Sequence, residues 1–275
     1  MSEEPRSVLT VERRDHVATV WLDNPARRNA MGPAFWDEIP RVMDALSEDA
    51  EVRAVVIAAR GRDFTIGLDL KAFGTIAGGD GDAPSDAARR LRLRGSVKRM
   101  QRTMTAVADC PKPVIAAIHG WCIGGGVDLI TACDIRLASA DAKFSVRETK
   151  IAIVADVGTL QRLPGIVGRG HVAELAFTGK DVSAARAKEI GLVNEVLPDP
   201  EAVQAAAATM AAEIAANSPL AVQGTKAVLR AGAGRSVEEG LDYVSVWNAA
   251  FLSSNDLMEA MAAFVEKRPA RFRGE

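Results

Sequence analysis

Three carboxylates, Asp128, Glu148 and Asp156, fall within 29 residues, directly after the glycine run Gly124-Gly125-Gly126. Their neighbours Ile151, Ile153, Val154 and Val157 are apolar. An acid in such surroundings loses hydration of its charged form, so its pKa rises toward the range useful for moving protons at neutral pH. Glycines at a helix start leave main-chain N–H groups open to a developing negative oxygen. A second donor can come from the apolar loop Phe64–Leu70, where Gly67 precedes Leu68. Two N–H groups on an enolate oxygen form an oxyanion hole, and losing one costs about 3–4 kcal/mol of barrier stabilisation. Together these residue types predict proton transfer beside an activated carbonyl.

Each feature also has a plainer reading. The glycines could serve tight strand–helix packing, and Phe64–Leu70 could be a surface turn. Asp156 could cap a helix, and Glu148 could pair on the surface with Arg147. The glycine run is not a dinucleotide fingerprint, because no second spaced glycine and no acid at the end of a next strand follow. It also lacks the Gly-Lys-Ser/Thr ending of a phosphate-binding P-loop.

The elements that must position these groups follow from periodicity. Val8–Glu12 and His16–Leu22 read as a hairpin. Pro33–Leu46 has helical spacing, with Pro40 as a kink position. Ala54–Ala58 and Val114–Ile118 are continuous apolar runs, as expected of strands covered on both faces. Gly61–Lys71 is a loop, and the glycine- and aspartate-rich stretch 78–84 is a natural lid or insertion. Arg89–Ala108 is a helix, as is the segment from the glycines to Ala132. Ile135–Ala138, Lys143–Val146 and Leu192–Leu197 read as strands, with a helix at Ala184–Ile190. Met100, Met104, Leu93 and the four tryptophans read as core. From Glu201 the pattern is helical almost throughout: Glu201–Asn217, Leu220–Ala231, Ser236–Leu252 and Asn255–Glu266. The fold class is therefore α/β, with a core over residues 1–198 and a helical subdomain over 199–275 serving oligomerisation or site cover. The corner Pro198-Asp199-Pro200 marks the boundary.

Composition removes several function classes. With 48% apolar and 25% charged residues the chain is that of an ordinary soluble protein, and a formal charge of −2 gives no global pull toward nucleic acid or anionic lipid. No apolar run is long enough to cross a bilayer. Three cysteines (Cys110, Cys122, Cys133) without metal-type spacing predict buried free thiols, and three histidines argue against a histidine-rich metal site. The N-terminus does not read as a secretory signal, nor Arg-Phe-Arg-Gly-Glu as a peroxisomal address, so the expected location is cytoplasmic.

The chain resembles the crotonase (enoyl-CoA hydratase/isomerase) superfamily. The resemblance is carried by Asn24-Pro25-Ala26-Arg27-Arg28-Asn29-Ala30, Gly67-Leu68-Asp69-Leu70, Pro113-Val-Ile-Ala-Ala-Ile-His-Gly120 and Cys122-Ile-Gly-Gly-Gly-Val-Asp128. Ala132-Cys-Asp-Ile-Arg136, Phe144, Gly191-Leu-Val-Asn194 and Ala263-Phe-Val-Glu-Lys-Arg268 extend it, in the family's order, over nearly the whole chain. It implies a spiral of ββα units, a homotrimer or dimer of trimers, and an acyl-coenzyme A substrate. It also implies that the main-chain N–H groups of Leu68 and Gly125 hold the thioester oxygen. Coenzyme A would be contacted by Arg28 (or Arg27) and the segment Gly67, Asp69, Leu70 and Lys71. No metal or redox cofactor is implied, coenzyme A being part of the substrate.

Hydratases of the family carry glutamates at the positions of Asp128 and Glu148, and usually glycine at that of Asp156. The trio here is similar to the Δ3,5-Δ2,4-dienoyl-CoA isomerases, whose reaction removes a proton at C2 and delivers one at C6. Two carboxyl groups flanking the acyl chain reach both ends where one would struggle. By analogy Glu148 falls near C2 and Asp156 near C6, or the two with roles exchanged, with Asp128 tuning or orienting the pair. The rival readings are an enoyl-CoA hydratase using Asp128 and Glu148 on water, and a non-catalytic scaffold or RNA-binding member of the fold. The basic helix around Arg89-Arg90-Leu91-Arg92 motivates the last, but low global charge and absent aromatic interleaving weigh against nucleic acid.

Overall fold

The computed structural model describes residues 7–72 and 85–275; the stretch 78–84 expected as a lid or insertion lies outside the described residues. Strands β1 (Leu9–Arg14) and β2 (Val17–Leu22) form the expected antiparallel hairpin, with Leu9 opposite Leu22. Asp15 and His16 make its turn, both at positive φ. Strands β3 (Ala54–Ala59), β4 (Val114–Ile118), β6 (Ile135–Ser139) and β9 (Glu195–Leu197) add in parallel, giving a six-stranded sheet in the order β1-β2-β3-β4-β6-β9. The intervening strands β5 (Trp121–Ile123) and β7 (Lys143–Ser145), with β8 (Val182–Ser183), form a second sheet of order β5-β7-β8. From β4 to β7, successive strands therefore alternate between two sheets, the ββα progression implied by the resemblance.

All residues of β3 and β4 are buried, and their parity decides which core each side chain joins. Val55, Ile57, Val114, Ala116 and Ile118 pack with Ile39, Met43 and Leu46 of helix α1 (Pro33–Glu48) and with Met104 and Val107 of helix α2 (Asp86–Asp109). The alternate residues Ala54, Val56, Ala58, Ile115 and Ala117 face the other way, against Val203, Ala207, Ala211 and Ala215 of helix α7 (Pro200–Ala215). Side chains of period two on one strand thus serve two separate cores. The small side chains of Ala207, Ala211 and Ala215 let that helix lie close on the sheet.

Two expectations are corrected here. The chain does turn at Pro198-Asp199-Pro200, where the Asp199 carboxylate accepts the Ala202 N–H as the cap of α7. Yet α7 buries its apolar stripe in the sheet, so it belongs to the core, and the helices outside it begin at Pro219: α8 (Pro219–Gly232), α9 (Val237–Phe251) and α10 (Asn255–Glu266). The expected strand Leu192–Leu197 shrinks to β9. The N–H of Leu192 folds back to Ala187 O, closing helix α6 (Ala184–Glu189), which follows α5 (Arg169–Thr178), and that of Asn194 bonds Arg136 O. Elsewhere helix ends agree within a few residues. The three cysteines are buried and free.

Helix α3 (Gly125–Ala132) follows β5 and is buried along its whole length. A short helix with buried ends must have its terminal carbonyls satisfied. Arg136 does this: its guanidinium donates to Cys133 O at 2.8 Å, to Ile130 O at 3.3 Å and to Leu192 O at 2.8 Å. Arg136→Met should therefore destabilise the fold by about 3 kcal/mol, since it strands these acceptors in the interior. Chemical denaturation measures this, and an unchanged midpoint would show that α3 does not depend on the guanidinium.

Candidate active site

The site is built where the loop 64–69 runs alongside β5. Thr65 N–H donates to Trp121 O at 2.9 Å, and Ile123 N–H returns a bond to Thr65 O at 3.2 Å. Met31 fixes the far side, donating to Gly67 O at 2.8 Å and accepting from Asp69 N–H at 3.1 Å. The Thr65 hydroxyl bonds Asn29 O and accepts the Gly67 N–H. Gly67 has φ +78°, and a Cβ there would lie 2.5 Å from Ile123 O, so only glycine permits this approach. With these bonds made, the N–H groups of Leu68 and Gly125 have no acceptor among the described residues. Both residues line the same cavity of about 650 Å³. The turn into α3 passes through Gly124 at φ +52°, where a Cβ would sit 3.3 Å from Glu148 Oε1. Gly124 thus leaves room for Glu148, a role that the glycine run by itself did not disclose.

All three carboxylates line this cavity. Asp128 is fully buried on α3. Its Oδ1 accepts the N–H of Thr159 at 2.5 Å, while Oδ2 has no partner. Glu148 lies just past β7 and opens a tight turn, Glu148–Ile151; its Oε2 is buried and unpartnered. Asp156 is half-buried, and its carbonyl accepts from Gln101 Nε2 of α2 at 2.7 Å. Burial is the largest cause of a raised pKa in every case. Asp128 stands at about 6, with burial and then the Asp156 charge raising it against the opposing effect of Thr159. Glu148 stands at about 7, raised by burial and then by the charges of Asp128 and Asp156. Asp156 is raised by desolvation. The three are close enough to titrate as one system.

The plainer readings of the acids do not fit. The short helix α4 (Thr159–Arg162) has Gly158, at φ +138°, in its cap position, so Asp156 is not a cap. Glu148 makes no ion pair with Arg147, which instead bonds Asp181 and lies over the Trp121 ring.

Of the other expected site residues, Arg28, Gly67 and Leu70 reach the cavity wall, whereas Asp69 and Lys71 do not. The buried Asp69 carboxylate holds Arg27 at 2.6 Å and accepts the Lys71 N–H, a structural use that keeps it off the cavity wall. Arg28 adopts a left-handed conformation and donates to the buried Asp63 at 2.7 Å. Trp36 is buried in the core as expected and Met100 packs against it, each with an edge on the cavity, whereas the expectation for Leu93 is corrected: it is exposed and lines the cavity with Val97. Helix α2 turns one apolar edge to the site, so its residues look like core in sequence. Met104 and Trp21 are buried in the core, but Trp121 and Trp247 are half-buried. Thr159 and Gln101 were not foreseen, since nothing local marks a residue that bonds an acid 31 or 55 positions away.

Two sheets fed alternately by successive strands, two N–H groups without acceptors among the described residues, and acids lining one cavity are features of a known class. The sequence description of the enoyl-CoA hydratase/isomerase family matches residues 12–275, and the chain belongs to that family, with the crotonase fold. It is 43% identical over 275 residues to the peroxisomal Δ(3,5)-Δ(2,4)-dienoyl-CoA isomerase of Arabidopsis thaliana, covering 99% of both chains. It is 44% identical over 268 residues to the mitochondrial Δ(3,5)-Δ(2,4)-dienoyl-CoA isomerase of Rattus norvegicus, covering 96% of this chain and 81% of that one. The crystal structure of an enoyl-CoA hydratase from Bacillus anthracis superposes with a TM-score of 0.89 at 32% identity, covering 98% of this chain and all of that one. The cytoplasmic expectation is overturned by these relatives, which carry peroxisomal and mitochondrial names. Compartment addresses are short receptor-read peptides, and the chemistry of a fold does not encode them. Among the described residues no helix is long and apolar enough to cross a membrane, and no cluster of His, Cys, Asp and Glu could hold a metal.

The raised pKa of Asp128 has a sign that can be tested. A carboxyl at 3.8 when unfolded and about 6 when folded binds its proton more tightly in the fold. Its contribution to stability is complete below about pH 4 and is lost as pH rises through 6, a change of about 3 kcal/mol. Asp128→Asn does not titrate, so its stability relative to the wild type should improve steadily from pH 4 to 7.5. Denaturation at several pH values checks this; a difference independent of pH would contradict the raised pKa.

Proposed function

We propose that the chain is a Δ3,5-Δ2,4-dienoyl-CoA isomerase that moves protons with Glu148 and Asp156. The observation that carries this reading is Asp156, a third carboxylate with no capping role on the wall of the cavity that also holds Glu148. In the proposed mechanism the N–H groups of Leu68 and Gly125 hold the thioester oxygen. Glu148 removes the C2 proton, and the negative charge spreads from that oxygen along the conjugated chain. Protonated Asp156 then delivers a proton at C6, leaving the 2,4-diene. A base near pKa 7 is about half ionised at neutral pH and still basic enough to accept a carbon-bound proton once the enolate is stabilised. Burial that raises Asp156 favours the protonated form it needs as an acid.

Arg28 and Leu70 would meet the coenzyme A portion, and the apolar edge of α2, with Leu93, Val97 and Met100, would hold the acyl tail. Only protons move in this scheme, so it needs no redox group or metal. The reading includes a homotrimer or dimer of trimers; Val237, Leu241, Met258 and Phe264 on α9 and α10 are exposed apolar side chains of the kind such an interface buries. A non-catalytic RNA-binding role finds little support, because Arg89 and Arg102 of the basic helix already pair with Asp86 and Asp44.

The hydratase alternative needs Asp128 and Glu148 to share a water. Asp128 already has one oxygen committed to Thr159, which leaves only Oδ2 for that task. Purified protein offered 3,5-dienoyl-CoA should produce a diene conjugated through to the thioester carbonyl, and with 2-enoyl-CoA should be far slower. Efficient hydration without diene formation would replace this reading by the hydratase. Asp156→Asn should cut isomerisation by about 100- to 10,000-fold with KM little changed. An unaffected rate would remove Asp156 from the chemistry.

A further inference from the structure

Asp128 and Thr159 are joined by one hydrogen bond yet each keeps one buried polar atom without a partner. Thr159 is fully buried, and its N–H donates to Asp128 Oδ1 at 2.5 Å. The remaining oxygen of the carboxyl, Oδ2, and the threonine hydroxyl, Oγ1, are both buried and unbonded. A carboxylate oxygen can only accept, and a hydroxyl can donate, so these two groups are chemically complementary. Unpaired polar atoms in an interior are costly, and two on residues already in contact call for a common explanation.

From this juxtaposition we infer that Thr159 is a positioning residue whose hydroxyl serves as a reserve donor, turning onto the Asp128 carboxyl when that group ionises. With the hydroxyl engaged, the carboxylate accepts two bonds from one residue and its charge is retained beside Glu148. When Asp128 is protonated, the bond is not required. In this conformation the hydroxyl is unbonded, and the Thr159 N–H alone donates to the carboxyl.

Other groups that act electrostatically on Asp128 are Asp156 on the loop before α4, Arg162 on α4, Glu148 after β7 and Cys122 on β5. None of them contributes a hydrogen bond to the Asp128 side chain. Arg162 is held elsewhere, by Val157 O and Thr105 Oγ1. Gly158 admits this arrangement, since a Cβ there would lie 1.8 Å from the Arg162 guanidinium. Asp128 thus depends on Thr159 alone for its side-chain hydrogen bonds among the described residues. Because Thr159 sits three residues after Asp156, the same contact ties the Asp156 loop to α3, whose first residue is Gly125.

Thr159→Val keeps the size and the N–H but removes the hydroxyl; Thr159→Ser keeps the hydroxyl. The stability arm needs no substrate and does not depend on the isomerase reading. Denaturation from pH 4 to 8 should show Thr159→Val losing more stability, relative to wild type, at pH 8 than at pH 4. Ionising Asp128 without its reserve donor is what becomes harder. Thr159→Ser should restore the wild-type profile, and in an Asp128→Asn background the Thr159→Val effect should become independent of pH. A Thr159→Val loss that is equal at every pH with Asp128 present would overturn the inference and leave the hydroxyl as packing. The activity arm rests on the proposed isomerisation. There the acid limb of the pH profile of kcat should move to lower pH by roughly half a unit in Thr159→Val, because a more easily protonated Asp128 repels the Glu148 charge less. A stability effect as expected with an unmoved acid limb would keep the Thr159–Asp128 coupling and count against Glu148 as the base.

Discussion

Removing water from three carboxyl groups in one cavity is the constraint on which the site depends. Each acid is raised chiefly by burial, and each raises or is raised by a neighbour. Such a cluster would be intolerable if all three were charged at neutral pH, so the structure must apportion charge among them. It does so through unequal hydrogen bonding. Asp128 receives the Thr159 N–H, Glu148 keeps a bare oxygen, and Asp156 is only half-enclosed. A proton-transfer site in this family is therefore a problem in differential solvation before it is one of reactivity.

The second constraint is steric and lies in the main chain. The loop at Gly67 comes so close to β5 that any side chain would strike Ile123 O, and Gly124 turns the chain where any Cβ would crowd Glu148. Those approaches leave two peptide N–H groups on the wall of one cavity without acceptors among the described residues. Around them the neighbouring peptides are already bonded, Gly67 to Thr65 and Met31, Asp69 to Met31, Ile66 to Arg28 and Gly124 to Ser145. Rigid satisfaction of the surroundings is what leaves these two donors available.

Much of this was legible in the sequence, for reasons that differ residue by residue. β3 and β4 are unbroken apolar runs, which only strands covered on both faces need, and both were readable as such. Asp128, Glu148 and Asp156 stood out because acids are rare among isoleucines and valines. Arg27 and Asp69 were legible as charged groups but not as partners, since their ion pair joins two loops distant in sequence. Thr159 carried no signal at all, because a threonine after a glycine has many local uses. Leu93 reads as core in the sequence for a physical reason: a cavity wall made of apolar side chains obeys the same helical spacing as a packed interface. The boundary near 199 went astray because α7 is rich in alanine, a composition shared by exposed and by closely packed helices alike.

β3 and β4 divide their side chains strictly between two interiors. Val55, Ile57 and Val114 share a core with the helices that wall the site, whereas Ala54, Val56 and Ile115 meet only α7 and its neighbours. The rear interior can therefore accumulate substitutions that alter robustness to heat while the chemistry on the opposite side is left alone. Lineages sharing this scaffold have one face on which to adapt to temperature and another on which to adapt to substrate, with a single layer of backbone separating the two.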